Sequence, residues 1–141
     1  MKYVLDASVA VSWVLPEALS AKAVRLRNDF RKGLHELLAP HICPGEVANA
    51  LTRAERKKII KPPQGTKRFI AVMRFTPDLH PYLPLLSRAF AISSAMRVNV
   101  YDCLYVVLAE QEGCELLTAD EKLVNNFQAK YPFIVSLASL P

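Results

Sequence analysis

The chain has 141 residues, 52% of them apolar, with 18 Lys and Arg against 13 Asp and Glu for a formal charge of +5. That length fits one domain, residues 1–141, able to bury roughly 68–70% of its unfolded surface without staples, and the apolar content excludes a disordered chain. No apolar run approaches the roughly 18–20 residues of a membrane span, and the three cysteines form no C-x-x-C pair, which argues against a disulfide framework or a zinc site.

Residues 2–6 read as a short buried strand through Tyr3, Val4 and Leu5. The opening stretch superficially resembles a signal peptide, but Asp6 interrupts it and no small-residue cleavage site follows Leu15 and Pro16. It reads as part of the mature fold, with a cytoplasmic location expected. Helices are expected over residues 9–15 and 18–32, the second carrying Ala23, Leu26 and Phe30 at helical spacing and closed by Gly33. Residues 36–39 form a candidate second strand. A helix then opens near Pro44 with Val47, Ala50 and Leu51 on one side. Pro62 and Pro63 precede another helix bearing Phe69, Val72 and Met73, and a third strand is expected over residues 75–79. Residues 83–97 and 100–111 are helical by pattern, the latter apolar nearly all round and so central. Gly113 ends it; residues 114–118 read as a strand, 120–130 as a helix and 133–137 as a last strand. Strands alternating with helices imply an α/β fold with a parallel sheet.

The basic residues cluster. Arg53, Arg56, Lys57, Lys58, Lys61, Lys67 and Arg68 are opposed only by Glu55, and Lys22, Arg25, Arg27, Arg31 and Lys32 only by Asp29. Singly, each reads as part of a solvated helix face; together they attract a polyanion, with nucleic acid the first candidate. His35, His41 and His80 lack the i, i+4 pairing of a zinc motif and read as ordinary surface residues.

In open α/β sheets ligands gather beyond the carboxyl ends of the strands. Asp6 ends the first strand, Asp120 follows the strand at 114–118, and Glu46 and Asp102 fall in the first turns of two helices. Each acid alone is explained by the positive end of a helix dipole. Caps are available too: Ser8 for the helix after Asp6, Asn99 for the helix of Asp102, and a Thr118–Glu121 capping box. Pro44 at a first helical position sets Glu46 two residues further in. Capping does not explain four acids at one sheet edge. Converging carboxylates resist ionising together, and hard oxygen-seeking ions, magnesium or manganese, are their natural partners. Such ions orient a phosphodiester and activate water, so no Ser/His/Asp or Cys/His set is needed.

The stretches VLDASVAVSWVLPE, AP with EVANAL six residues on, and YDCLYVVLAEQEGCELLTADEKL resemble the PIN-domain nucleases, especially the VapC-type ribonuclease toxins of toxin–antitoxin pairs. The resemblance spans nearly the whole chain, while residues 53–97 match in general character only. It implies a three-layer fold with a central parallel sheet of about five strands flanked by helices. It also implies a magnesium (or manganese) site of Asp6, Glu46, Asp102 and Asp120, with Ser8 and Thr118 as accessory polar residues, that cleaves RNA. Homodimerisation and a cognate antitoxin follow from the same likeness; the helices near the N-terminus and mid-chain carry more apolar residues than one core-facing stripe requires, which makes Trp13 and Phe69 the candidate interface residues. A receiver domain would need adjacent acids where Ala7 follows Asp6, and a haloacid-dehalogenase-like phosphatase would need an acid where Ser8 stands. A non-catalytic RNA- or partner-binding PIN domain and a solitary RNA-processing nuclease remain open alternatives.

Overall fold

In the computed structural model, which describes residues 1–141, strand β1 (Lys2–Leu5) lies at the middle of a five-stranded sheet. It is flanked by β2 (Glu36–Pro40) and β4 (Glu115–Thr118), with β3 (Asp78–His80) and β5 (Ile134–Ser136) at the edges, and every pairing is parallel. Val4, Leu5, Leu37, Leu38, Ala39, Leu116 and Leu117 are all buried. Unbroken apolar runs of this kind mark a parallel sheet covered on both faces. The chain builds outward from β1 to β3 and then returns to the other side of β1 for β4. The strand order therefore reverses between β1 and β4, and a crevice at the carboxyl end of such a reversal is the usual ligand position.

Seven helices cover the sheet: α1 (Ala7–Ser12), α2 (Ser20–Arg31), α3 (Cys43–Arg56), α4 (Pro62–Met73), α5 (Leu86–Met96), α6 (Val100–Glu112) and α7 (Glu121–Phe127). The expected central helix is α6, whose residues Cys103 to Ala109 are all buried and which packs on β1, β2, β4 and α5. Asn99 caps it as expected, its Oδ1 accepting from the Tyr101 N–H at 2.7 Å, and Gly113 ends it at φ +62°. The core forms one cluster of 38 buried residues. No helix is long and apolar enough to cross a membrane.

Several boundaries move, each for a local reason. The third strand begins at Asp78 because Phe75 closes the last turn of α4, its N–H bonded to the Val72 carbonyl. The Phe75 ring lies under Arg31, 4.8 Å from the guanidinium. Residues 83–85 form a 3-10 turn before α5, and residues 137–139 another after β5. Pro44 occupies the second position of α3, since Cys43 takes the first. Trp13, expected at an interface, is only 6% exposed and belongs to the core. Phe69 is half-buried against that core and lines a groove between α3 and α4.

Candidate active site

The reversal between β1 and β4 places Asp6 and Thr118 side by side. The Asp6 N–H extends the ladder to the Leu117 carbonyl at 2.9 Å, so the next residue of each strand emerges at the sheet edge. Two hydroxyls then bind a single oxygen of Asp6: Ser8 donates to Oδ2 at 2.5 Å and Thr118 at 2.9 Å. Each hydroxyl also accepts a backbone N–H from the turn after β4, Ser8 from Ala119 at 2.9 Å and Thr118 from Asp120 at 3.0 Å. Asp6 is 7% exposed, and burial pushes its carboxyl above the ordinary range. The two hydroxyls oppose that shift, and the nearby Asp120 charge adds to it.

Glu46 enters from the first turn of α3. Its Oε1 accepts a 2.5 Å hydrogen bond from the buried Tyr105 hydroxyl, one turn beyond Asp102 on α6. Burial raises Glu46, the Tyr105 bond lowers it, and Asp6 raises it further. Asp102 lies in the first turn of α6 and is pushed up to about 6, first by burial and then by the charges of Asp6, Glu46 and Asp120. No side-chain hydrogen bond opposes that rise.

Asp120 is the N-cap of α7, with its Oδ1 accepting from the Lys122 N–H at 2.9 Å. This corrects the expected capping box. Thr118 is drawn back to Asp6, and Glu121 accepts instead from the Ser136 hydroxyl at 2.6 Å. Ser8 likewise does not cap α1. It lies inside that helix, whose N-cap is Asp6, and its hydroxyl is spent on the Asp6 carboxylate.

All four acids line one cleft of about 840 Å³, together with Ser8, Glu17, Asn49, Arg53 and Tyr101. None of the four forms an ion pair. An oxygen-only donor set of mutually repelling carboxylates suits a hard divalent ion. As placed, however, no three Asp, Glu, His or Cys side chains stand close enough together to hold one ion between them.

Of the basic candidates, only Arg53 reaches the cleft lining. Arg56, Lys57, Lys58, Lys61 and Lys67 are exposed on the end of α3, the following turn and α4. Arg68 is half-buried and donates to the Val14 carbonyl, tying α4 to the loop after α1. Three residues escaped the sequence reading: Glu17 and Tyr101, which line the cleft, and Tyr105 beneath it, which holds Glu46. Tyr105 sits three residues after Asp102, which is one helical turn, but its bond to Glu46 spans 59 positions. Glu17 reaches the cleft because the fully buried Ser12 hydroxyl donates to its Oε2 at 2.7 Å. Tyr101 adjoins Asp102 on the exposed turn of α6. Cys43 is a buried thiol, pushed up to about 12 by burial.

The sequence profile of the PIN domain matches residues 3–126, a span that includes all four acids. The chain belongs to the PIN domain family. It is 34% identical over 131 residues to a protein of Pyrobaculum aerophilum named ribonuclease VapC3, covering 92% of this chain and 97% of that one. It is 28% identical over 132 residues to ribonuclease VapC9 of Mycobacterium tuberculosis, covering 94% and 96%. The crystal structure of PAE2754 from Pyrobaculum aerophilum superposes with a TM-score of 0.73 at 19% identity, over 99% of this chain and 85% of that one. VapBC2 from Rickettsia felis, solved bound to a DNA fragment from its promoter, gives 0.62 at 12% identity over 96% and 97%. At those identities the two structures establish the PIN fold alone.

The upward shift of Asp102 in this PIN domain, from burial first and carboxylate repulsion second, has a measurable sign. A carboxyl of ordinary value near 4 when unfolded and about 6 when folded binds more protons in the folded state between those values. Its contribution to stability is then present at low pH and lost as pH rises from about 4 through about 6. Chelator-treated wild type should therefore lose melting temperature across that window relative to Asp102→Asn. Parallel curves for the two proteins would mean that neither burial nor the neighbouring charges raise Asp102.

Proposed function

We propose that this PIN domain is a divalent-metal-dependent endoribonuclease, the toxin component of a type II toxin–antitoxin pair. The observation that carries the reading is that four unpaired carboxylates, from four separate elements, line one cleft at the carboxyl ends of β1 and β4. Relatives named ribonucleases support it, and the likeness to VapBC2 of Rickettsia felis supports a partner protein. Asp6, Glu46, Asp102 and Asp120 would hold magnesium or manganese. A bound ion of this kind supplies Lewis acidity toward a phosphoryl oxygen and lowers the proton affinity of water.

The residues of the chain do the remaining work. Ser8 and Thr118 fix the rotamer of Asp6 by occupying one of its oxygens. The Tyr105 phenol, which burial keeps protonated, fixes Glu46 as a donor that carries no charge. Asp102, free of such donors, is the acid most able to adjust. Asp120 spends one oxygen on its helix and keeps the other available. The separation of the acids as placed also suits a second reading, a PIN domain that binds RNA or a partner without cutting.

Incubating wild type with mixed RNA, in magnesium or in chelator, separates the two, since a domain that only binds cuts in neither; Asp102→Asn then tests whether the acids form a metal site. In the metal-site reading the metal-free variant is as stable as wild type or more so, cleavage of a model RNA is lost, and the stabilisation by magnesium shrinks. That stabilisation reaches about 2.7 kcal/mol when the ion is at a hundred times its dissociation constant. If Asp102 only compensates the dipole of α6, the variant costs some tenths to about 1 kcal/mol and still cuts RNA, which would sink the four-carboxylate mechanism.

RNA contact outside the cleft falls to the exposed basic stretch in this reading. Neutralising phosphates releases counterions, so affinity should fall steeply with salt. Replacing Arg56, Lys57 and Lys58 by Ala should flatten that dependence with the fold intact, because all three are exposed. An unchanged slope would assign the stretch to something other than RNA.

We also propose a homodimer, by the same family likeness. With Trp13 in the core, Phe69 is the remaining interface candidate, and its neighbour Ile70 on α4 adds an exposed apolar side chain beside it. Light scattering at micromolar concentration should give twice the 15.8 kDa chain mass, and a monomer mass would contradict this.

A further inference from the structure

Two tyrosines on α6 stand one turn apart and are treated in opposite ways. Tyr105 is fully buried and spends its hydroxyl on Glu46. Tyr101 leaves 52% of its surface in solvent, although it belongs to the cleft that holds the acids. It is the only aromatic residue of that lining, as Arg53 is the only basic one. Its place is fixed by the backbone: Asn99 accepts its N–H at 2.7 Å and sets the first turn, and Asp102 follows directly. The result is an aromatic face beside the acids, about half of it left uncovered by the chain.

We infer that Tyr101 is a stacking platform for an unpaired nucleobase flanking the scissile phosphate, with Arg53 on α3 taking a neighbouring phosphate. The inference rests on the nuclease reading above and gives it two further contacts to the RNA, one to a base and one to a phosphate. Every base offers a π-face, so a lone aromatic side chain binds bases with little regard to their identity. In a duplex the bases are already stacked and paired, and proteins reach them on aromatic side chains only where the strand is open. A carboxylate-lined cleft repels the backbone wherever no cation intervenes. Apolar area on the base is thus the part of the substrate that this wall can hold without electrostatic cost.

The experiment uses a single-stranded uridine-rich RNA carrying one 2-aminopurine, alone and annealed to its complement. Calcium replaces magnesium in the binding measurement, since it also takes oxygen ligands. Wild type and Tyr101→Phe should quench the aminopurine fluorescence of the single strand and leave the duplex unaffected, while Tyr101→Leu should not quench. In magnesium, Tyr101→Leu should raise KM for the single strand by roughly 5- to 150-fold, the range of one base–aromatic stack. It should leave kcat unchanged, because stacking made equally in ground and transition states acts on binding alone. The exposed position predicts unchanged melting for all three proteins. Equal quenching by wild type and Tyr101→Leu, or equal KM, would overturn the stacking role while cleavage by both upholds the nuclease. A wild type that quenches but never cleaves would overturn the nuclease reading and uphold the platform.

Discussion

A buried carboxylate is tolerated only when something answers its charge, and Asp6 is where this fold meets that demand. The β1–β4 pairing delivers its side chain to the sheet edge with almost no access to water. Two hydroxyls, one from α1 and one from β4, supply the hydrogen bonds that water would have given. The same hydroxyls take the free N–H groups of the turn after β4. The strand pair, the start of α1 and the turn leading to α7 are thus locked through one oxygen atom of one acid. Removing either hydroxyl leaves both a carboxylate and a backbone donor short of a partner.

The remaining acids are disposed around this fixed point with decreasing constraint. Glu46 is held by a phenol, Asp120 by its own helix, and Asp102 by neither. A site built this way has a stiff floor and one adjustable member. That grading fits the separation of the donors as placed, since the acid pressed hardest by its neighbours is also the one with no bond to break on moving.

The positions of all four acids were legible in the sequence because each sits at the end of a strand or the start of a helix, and those boundaries have local signals. The sheet and the central α6 were legible for the same reason, from apolar runs and from helix-stopping Gly113. What failed was the assignment of partners. Thr118 has the right spacing for a capping box, and a local reading has no means of knowing that Asp6, 112 positions away, claims its hydroxyl instead. Ser8 misled in the same way. Trp13 looked surplus to one apolar stripe only because burial on several sides of α1 is a tertiary fact. Arg68 looked like one more surface cation, yet the fold uses it to hold the Val14 carbonyl.

The total burial of α6 has a bearing on how this chain can diverge. Seven consecutive residues, Cys103 to Ala109, are buried on a helix packed against both the sheet and α5, so a change of size among them disturbs one or the other. The axle of the molecule also carries Asp102 of the cleft and Tyr105, which holds Glu46, and is therefore closed to gradual drift. Variation is left to the rim: the exposed turn at Tyr101, the loop bearing Glu17 and the outer end of α3 at Arg53. A lineage of such proteins can trade one target for another at those edges while the interior that sustains the chemistry stays frozen.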